Sequence, residues 1–518
     1  MNKKLETIIV TALCLFAIYM WTLPIQKDNL PYGEVDAGAH FSLGDYMGQN
    51  NKVMLFLPYY IDLRYGGDNS FMPHTIWYPP VYHTNLAIMQ IIGGERIIPI
   101  YLLVSILSSS VVLIMYMIIK KLYGFWPAIL SSFLLVFSMR DILNFLWGQW
   151  PERISYYIVP LALYAFYKYC YSCIENEKRK EYIYIAALLF AISFLIHPMG
   201  LFYSASAVLV FLVLFLIKEK KWIFNSKDIL IAAIIFILII SIFPIQLGNV
   251  IMRLNEKNQA ENAPLISLFK WSKDPSKYVG AMPEDYFSYS KMHGIWTMPL
   301  LIIGLFILLI RRNKEDIFIL SWLIAVYIMV HLDVIGKGGF SHRSLSASAH
   351  IFSPIIAIGL LSIPKLFKSI NKNVYITIKY GLIILFLVLA ININGKQAYS
   401  QLSGAYSVPL RMTEPQYEVS EWMRSNLDVN ADIEDIGTLN LAKKRWIQYV
   451  SQRHINHINN FDENITSNYV LLDYSDAFIL RNYQGFEQQI SEIQTYEKNM
   501  SGYPLIYDKN NIRVYKVG

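Results

Sequence analysis

The chain is dominated by long apolar segments that recur at short intervals as far as about residue 393. A helix needs about 20 apolar residues to cross the hydrocarbon core of a membrane. The segments therefore predict an all-α membrane protein with about eleven transmembrane helices. They lie near residues 5–24, 95–119, 125–139, 153–173, 181–197, 199–217, 228–248, 294–310, 315–333, 344–364 and 375–393.

The composition agrees with this prediction. Only 16% of the residues are charged, whereas soluble domains carry about 25%. This excludes a disordered chain and an ordinary cytosolic enzyme. We attribute the net charge of +7 to the excess of lysine and arginine that cytoplasmic loops of membrane proteins carry, so we expect no nucleic-acid partner. Cys170 and Cys173 form a single C-x-x-C, which is too little for a disulfide framework or a zinc site.

Basic residues mark one side of the membrane. If the N-terminus is cytoplasmic, every second loop is basic, as expected for cytoplasmic loops. Residues 1–24 are followed by no small-x-small cleavage site, so we interpret them as an uncleaved anchor in the cell membrane. The basic residues are Lys120, Lys121, Lys178, Arg179, Lys180, Lys218, Lys220, Lys221, Lys227, Arg311, Arg312, Lys314, Lys365, Lys368 and Lys372.

The opposite side receives the segments 25–94, 140–152 (the second outer loop), 249–293, 334–343 and the tail from about 394. The first, residues 25–94, is too long for a simple turn, and loops of such length are usually functional. The tail changes composition and combines helix-like and strand-like segments, which predicts a soluble extracytoplasmic α/β domain. We therefore divide the chain into a transmembrane domain, 1–393, and a tail domain, 394–518. The tail patterns are a helix at Pro415–Leu427, a strand at Asn468–Asp473 and two strands around Asp508–Asn511.

The densest polar cluster follows the first apolar segment, at Gly33–His40. Asp36 and His40 are four residues apart and would share one face of a helix. Together with Glu34 they could bind a divalent cation through Glu34 and Asp36, or supply a general base. A solvated loop that caps a juxtamembrane helix is the alternative, and the spacing leaves both open.

Other polar residues of the outer segments are candidates for binding a substrate, each with a structural alternative. Tyr78 and His83 could instead belong to a belt of aromatic residues at the membrane surface and to the start of a helix. The carboxylates Asp141 and Glu152 could instead form salt bridges within their loop. A histidine between two nearly continuous helices is more often structural. The candidates are Tyr78, His83, Asp141, Gln149, Glu152 and His197.

The segment 334–343 departs from the charge rule because Lys337, His342 and Arg343 are basic on the outer side. Cations beside glycines that expose backbone N–H groups suit a phosphate. The alternative is that these side chains extend toward lipid headgroups.

Four features together resemble the GT-C superfamily of integral-membrane glycosyltransferases. These are the acidic motif after the first helix, Tyr78-Pro79-Pro80, the acidic second outer loop at Gly148–Glu152, and the outer α/β tail. Glu34-Val35-Asp36 is similar to the acidic motif of oligosaccharyltransferase catalytic subunits and protein O-mannosyltransferases. The tail lacks the Trp-Trp-Asp signature of oligosaccharyltransferases. The chain more closely resembles uncharacterised bacterial and archaeal polysaccharide or lipid glycosyltransferases.

The resemblance implies transfer of a sugar, with inversion, from a polyprenyl-phosphate donor to a glycan, lipid or protein acceptor outside the cytoplasm. Asp36 would be the general base, Arg343 with His342 would bind the lipid phosphate, and Glu34 and His40 would orient sugar hydroxyls or a metal ion. Mg²⁺ or Mn²⁺ is a possible cofactor, since metal dependence varies within the superfamily. Asp141 and Glu152 are further candidates for this supporting role.

Two functions from other classes remain as alternatives. A transporter or flippase for a lipid-linked sugar would require ionisable residues inside its helices, and the predicted spans have almost none in their middles. We also find no internal repeat of the kind that many transporters show. A glycan-binding envelope assembly protein would explain the tail but leave the Glu34–His40 cluster unused.

The charge pattern predicts a cytoplasmic N-terminus and an extracytoplasmic tail. Alkaline phosphatase, which is active only outside the cytoplasm, should therefore be active when fused after Gly518. The same enzyme inserted after Lys221 should be inactive. Activity with the reverse pattern would contradict both the topology and the glycosyltransferase interpretation.

Overall fold

The structure is a computed structural model. It describes residues 2–54, 57–58, 60–61, 80–177, 179–243, 265, 268, 289–335, 338–367, 372–405, 411–438, 441–456, 467–475 and 486–518.

Most of the described residues are helical, and each apolar segment of the sequence coincides with a helix. The N-terminal part contains α1 (Lys3–Lys27), α2 (Val35–Asn50), α3 (Val81–Gly93), α4 (Ile98–Tyr123), α5 (Phe125–Val136), α6 (Met139–Trp147), α7 (Trp150–Ile174), α8 (Glu181–Ile196), α9 (Met199–Glu219) and α10 (Ser226–Ile240). It continues with α11 (Met298–Arg311), α12 (Lys314–Val330), α13 (Gly338–Ser362) and α14 (Lys372–Leu389). Short helical turns lie at Ser290–His293, Ile295–Thr297, Leu332–Ile335 and Ile363–Phe367, and α14 is extended by the segments Ala390–Gly395, Lys396–Ser400 and Gln401–Ala405.

Several of the described helices are apolar and long enough to span a membrane. Five meet both conditions on their own, and a sixth span results if α5 and α6, which are bent by 46° at their junction, cross together. Helix α8 and the segment Ile295–Arg311 are apolar but shorter. The number of about eleven crossings therefore stays a prediction. The five helices are Lys3–Lys27, Ile98–Tyr123, Met199–Glu219, Ser344–Phe367 and Lys372–Gly404.

The tail contains a five-stranded mixed sheet in the order β2-β1-β3-β5-β4. Strands β1 and β2 are parallel, as are β1 and β3, while β5 runs antiparallel to both β3 and β4. A capping box between Thr413 and Gln416 begins α15, where the sequence predicts a helix. The elements are α15 (Glu414–Asn426), β1 (Asp432–Ile436), α16 (Leu441–Ser451), β2 (His454–Asn456), β3 (Tyr469–Asp473), α17 (Phe486–Asn499), β4 (Leu505–Lys509) and β5 (Ile512–Lys516).

The tail packs on the first outer segment through α16. The indole N–H of Trp446 donates to the carbonyl of Gly33 at 2.9 Å, and the Gln448 amide donates to the carbonyl of Tyr60 at 2.6 Å. Arg411, at the start of the tail, donates to the carbonyls of Pro24 and Asp28 at the end of α1. These contacts fix the tail against the same segment that carries Glu34 and Asp36.

A buried arginine joins three parts of this interface. The Arg96 guanidinium binds both carboxylate oxygens of Asp45 on α2, at 2.8 and 2.7 Å. It also pairs with Glu421 on α15 and donates to the carbonyl of Val450 on α16 at 2.8 Å. Asp45 is fully buried, so the pair compensates charges that would otherwise be costly to remove from water.

Replacing Arg96 should loosen the tail from α2. Arg96→Gln leaves Asp45 buried without its cation, and breaking such a pair costs about 3–5 kcal/mol. We expect a lower unfolding temperature in detergent and faster proteolysis of the tail.

The matched control is Lys509→Gln, which removes a cation from the exposed pair of Lys509 with Glu418 in the same domain. Exposed pairs contribute little to stability, so this variant should unfold like the parent. An Arg96→Gln variant that behaves like the Lys509→Gln variant would contradict the role assigned to the buried pair.

Candidate active site

The acidic motif lies at the N-terminal end of α2. Gly33 adopts a φ of 116°, which L side chains rarely adopt, and the chain then enters the helix through the extended residue Glu34. Asp36 is in the first helical turn, where the helix dipole favours a negative charge. Because the segment is helical, Asp36 and His40 lie on one face, as their spacing predicts.

Close backbone contacts hold this end of α2 in place. A Cβ atom on Gly148, which has a φ of 92°, would lie 2.0 Å from the backbone nitrogen of Ala37. A Cβ atom on Gly38 would lie 2.8 Å from the ring of Tyr449 on α16. The second outer loop and the tail therefore both contact the turn that contains Asp36.

His40 and His83 form a buried pair that links α2 to α3. His40 Nδ1 and His83 Nε2 are 2.9 Å apart, so one ring donates a hydrogen bond to the other. Burial, with the neighbouring His40, lowers the pKa of His83 well below its usual range. The ring of Trp150 lies 6.3 Å from that of His40. The structure thus brings together Asp36, His40, His83 and the loop before α7, while Tyr78 lies outside the described residues.

Glu34 has an unusual electrostatic environment. Burial, and then the neighbouring Asp36 carboxylate, raise the pKa of Glu34 to about 7. A carboxyl group that titrates near neutral pH can donate or accept a proton under physiological conditions. The motif therefore combines a half-buried carboxyl group that can exchange a proton, Glu34, with a second carboxylate, Asp36, in the first turn of α2.

The second outer loop places its three candidate residues in different environments. Gln149 is buried, and its side-chain oxygen has no hydrogen-bond partner among the described residues. Glu152 accepts a hydrogen bond from the Tyr156 hydroxyl and lies near the buried Arg140. Asp141 is bound by Arg153 through both oxygens, at 2.6 and 2.5 Å, and His350 Nε2 lies 3.4 Å away.

The remaining candidates are at other helix ends. His197 follows α8, and its Nδ1 accepts a hydrogen bond from the backbone N–H of Met199 at 3.2 Å. That contact fits the structural alternative for this histidine. His342 and Arg343 belong to α13, and their side chains lie outside the described residues, as does Lys337.

Sequence reasoning overlooked three buried polar residues near the second outer loop, namely Arg140, Arg153 and His350. Arg153 is fully buried, and its guanidinium also lies 4.3 Å from the ring of Trp21. His350 is 1% exposed. These residues could have been identified from the sequence, because each lies inside or at the end of a predicted apolar span. A polar residue in such a position is a functional candidate by default.

The described residues contain no group of three or more His, Cys, Asp or Glu side chains arranged to bind a metal ion. Mg²⁺ is often held by one or two carboxylates together with substrate phosphates. Glu34 and Asp36 are the groups that would hold such an ion, and the ion would neutralise charge on a phosphate. No step proposed below depends on it.

The raised pKa of Glu34 predicts a pH-dependent contribution to stability. The folded protein holds this proton more tightly than the unfolded chain, so the contribution is complete below the unfolded pKa of 4.5 and is lost as the pH rises through about 7. This contribution to the free energy of unfolding is at most about 3 kcal/mol, and Glu34→Gln should abolish its dependence on pH.

The measurement compares unfolding temperatures of the parent and Glu34→Gln proteins between pH 5 and 8. The difference between them should shift in favour of the variant as the pH rises. Glu487→Gln removes an exposed carboxylate on α17 and controls for loss of a charge. A constant difference across the pH range would contradict the raised pKa.

Comparison with known proteins gives fold-level relatives at low sequence identity. No curated protein sequence matches the chain. The apo oligosaccharyltransferase of Archaeoglobus fulgidus is 14% identical, with a TM-score of 0.60 over 90% of this chain and 70% of that one. ArnT from Cupriavidus metallidurans bound to undecaprenyl phosphate is 8% identical, with a TM-score of 0.59 over 98% of this chain and 97% of that one. Both are GT-C glycosyltransferases, so the predicted resemblance to that superfamily is confirmed as a distant similarity of fold.

A further similar structure is the Archaeoglobus fulgidus oligosaccharyltransferase AglB in complex with an inhibitory peptide and a dolichol-phosphate. It is 14% identical, with a TM-score of 0.56 over 100% of this chain and 74% of that one. A protein-family model matches residues 5–346, which include α1 to α12 and the acidic motif. The chain therefore belongs to DUF6541, a family of unknown function.

Proposed function

We propose that the protein is an inverting glycosyltransferase that moves a sugar from a polyprenyl-phosphate donor to a glycan, lipid or protein acceptor on the outer face of the membrane. The observation that carries the proposal is the enclosure around the first turn of α2. Asp36 and the titratable Glu34 lie there between the second outer loop and the tail. The similar structures support the donor class, since they contain undecaprenyl phosphate and dolichol-phosphate.

The proposed chemistry requires a base near the anomeric carbon. An acceptor hydroxyl is a poor nucleophile, and a positioned carboxylate that takes its proton accelerates attack by roughly 10²–10⁴-fold. We assign this role to Asp36. The hydroxyl oxygen forms the new bond to the anomeric carbon from the face opposite the phosphate, and the bond to the phosphate oxygen breaks with inversion.

Asp141 is less suited to this role than Asp36. Both of its oxygens are occupied by Arg153, which stabilises the ionised form and makes the carboxylate a poor proton acceptor. In this proposal Asp141 instead fixes Arg153 and the second outer loop. Glu34, His40, His83, Gln149 and Glu152 would orient sugar hydroxyls.

The leaving lipid phosphate gains negative charge as the sugar departs, so it requires a cation or hydrogen-bond donors. We assign Arg343 to the phosphate, with His342 in support, because both lie in the first turns of α13. The N-terminal end of a helix itself favours an anion. The proposal also keeps the predicted topology, with the N-terminus in the cytoplasm and the tail outside.

The direct test is transfer of label. Purified protein in detergent is incubated with radiolabelled polyprenyl-phosphate sugars and an extract of host membranes, and labelled products are separated from the donor. We expect label in a lipid, glycan or protein fraction. Absence of transfer from every donor tested, by a protein that still binds the donor lipids, would contradict the proposal.

Asp36→Asn should lower turnover by two or more orders of magnitude, because the amide keeps the shape of the side chain but cannot accept the proton. Donor binding should change less. Glu487→Gln is the control because it removes an exposed carboxylate outside the enclosure. Near-normal transfer by a well-folded Asp36→Asn protein would refute the assignment.

Arg343→Lys should weaken donor binding, since lysine keeps the charge but loses the planar bidentate geometry of the guanidinium. Arg343→Ala should weaken it further. The measurement is the affinity for a polyprenyl phosphate without a sugar. If both variants bind the lipid like the parent, Arg343 is only an interfacial anchor.

A further inference from the structure

An apolar groove lies between α7, α8, α9 and α10. None of the residues that line it belongs to the candidate active site. The volume of the groove is about 630 Å³. The side chains that line it are apolar, apart from the hydroxyl of Ser204 and the indole N–H of Trp222. Representative lining residues are Phe166, Ala187, Ala205, Leu212, Ala233 and Phe236.

The dimensions of the groove match one leaflet of a membrane. On α10 it extends from Ile229, beside the basic loop, to Ile237, which is roughly 12 Å along a helix axis, and on α9 it extends over roughly 16 Å, from Leu212 to Leu201. One half of the hydrocarbon core is about 15 Å thick. The groove is therefore long enough for the acyl chain of a lipid from one leaflet.

One end of the groove lies beside a basic loop. Trp222 lines the groove and directly follows Lys220 and Lys221, while Lys227 lies two residues before the lining residue Ile229. The three lysine side chains are exposed and make no hydrogen bond or ion pair within the part of the chain that the structure describes. They are thus available to an anion.

The other charged groups nearby are already occupied. Asp228, which would repel an anion, lies 3.5 and 3.3 Å from the hydroxyls of Tyr169 and Tyr184. Lys218 donates to the backbone carbonyl of Arg312. Glu219, which directly precedes Lys220, accepts a hydrogen bond from the Tyr171 hydroxyl at 3.3 Å. The net charge at this end of the groove is positive, because its two carboxylates are each in contact with a tyrosine hydroxyl and are outnumbered by Lys220, Lys221 and Lys227.

We propose that this groove is a binding site for an anionic phospholipid, with an acyl chain along α9 and α10 and the headgroup phosphate at Lys220, Lys221 and Lys227. Basic loops face the cytoplasm, so the lipid would come from the inner leaflet. The site is separate from the proposed transfer reaction and does not depend on it. It would make the stability of the membrane domain sensitive to the anionic lipid content of the membrane.

The test measures binding of lipids to the full-length protein in detergent by native mass spectrometry. The probes are dioleoylphosphatidylglycerol, dioleoylphosphatidylcholine, which has the same chains, and a polyprenyl phosphate. We expect the parent to prefer the phosphatidylglycerol over the phosphatidylcholine. Substituting Lys220, Lys221 and Lys227 together by Gln should reduce that preference by roughly tenfold or more.

Two matched variants keep the result specific. Lys3→Gln, Lys4→Gln and Lys121→Gln remove the same number of exposed charges elsewhere and should leave the preference unchanged. Ala205→Phe with Ala233→Phe places larger side chains in the groove at two exposed positions and should reduce binding of both phospholipids.

Four outcomes would overturn the proposal. Equal binding of the two phospholipids, or equal effects of the two lysine sets, would show that Lys220, Lys221 and Lys227 do not bind the headgroup phosphate. Unchanged binding by the double Phe variant would show that the chain lies elsewhere. Stronger binding of the polyprenyl phosphate than of the phosphatidylglycerol, with loss in the same variants, would assign the groove to a different lipid.

Discussion

The pairing of Arg96 with Asp45 is the interaction on which the packing of the tail against α2 depends. Asp45 is on α2, and the same guanidinium reaches Glu421 and a carbonyl of the tail. Helix α2 carries the acidic motif at its N-terminal end and Asp45 in its C-terminal half. Because Arg96 ties its C-terminal half to the tail, α2 can be fixed at both ends.

The N-terminal end of α2 is fixed by close backbone contacts, whereas its C-terminal half is fixed by an ion pair. Gly148 and Gly38 let the second outer loop and Tyr449 approach the first turns more closely than any side chain would permit. Asp36 is thereby enclosed by two parts of the chain, the second outer loop and the tail, that are distant from it in sequence. This enclosure gives the tail a physical role in the proposed site, since loss of the tail would expose the turn that contains Asp36.

The apolar helices, α15, β3 and the β4–β5 pair were predictable from local patterns, since an apolar segment such as 199–217 or a polar turn between two strands acts over a short distance. Helices α16 and α17 and strands β1 and β2 were not predicted from the sequence. The Asp36–His40 face also followed from spacing. The pairing of Arg96 with Asp45 and Glu421 spans 51 and 325 residues, and no local pattern determines such a partner. For the same reason the sequence left Asp141 as a candidate for binding a substrate, although Arg153 occupies both of its oxygens.

The central claim is that the first turn of α2 receives the sugar end of a lipid-phosphate donor. The most direct measurement is a structure determined with a non-hydrolysable polyprenyl-phosphate sugar analogue. The account predicts density for the sugar in contact with the carboxylate of Asp36, with the phosphate toward the start of α13. A sugar bound away from α2, with Asp36 in contact only with protein groups, would contradict it.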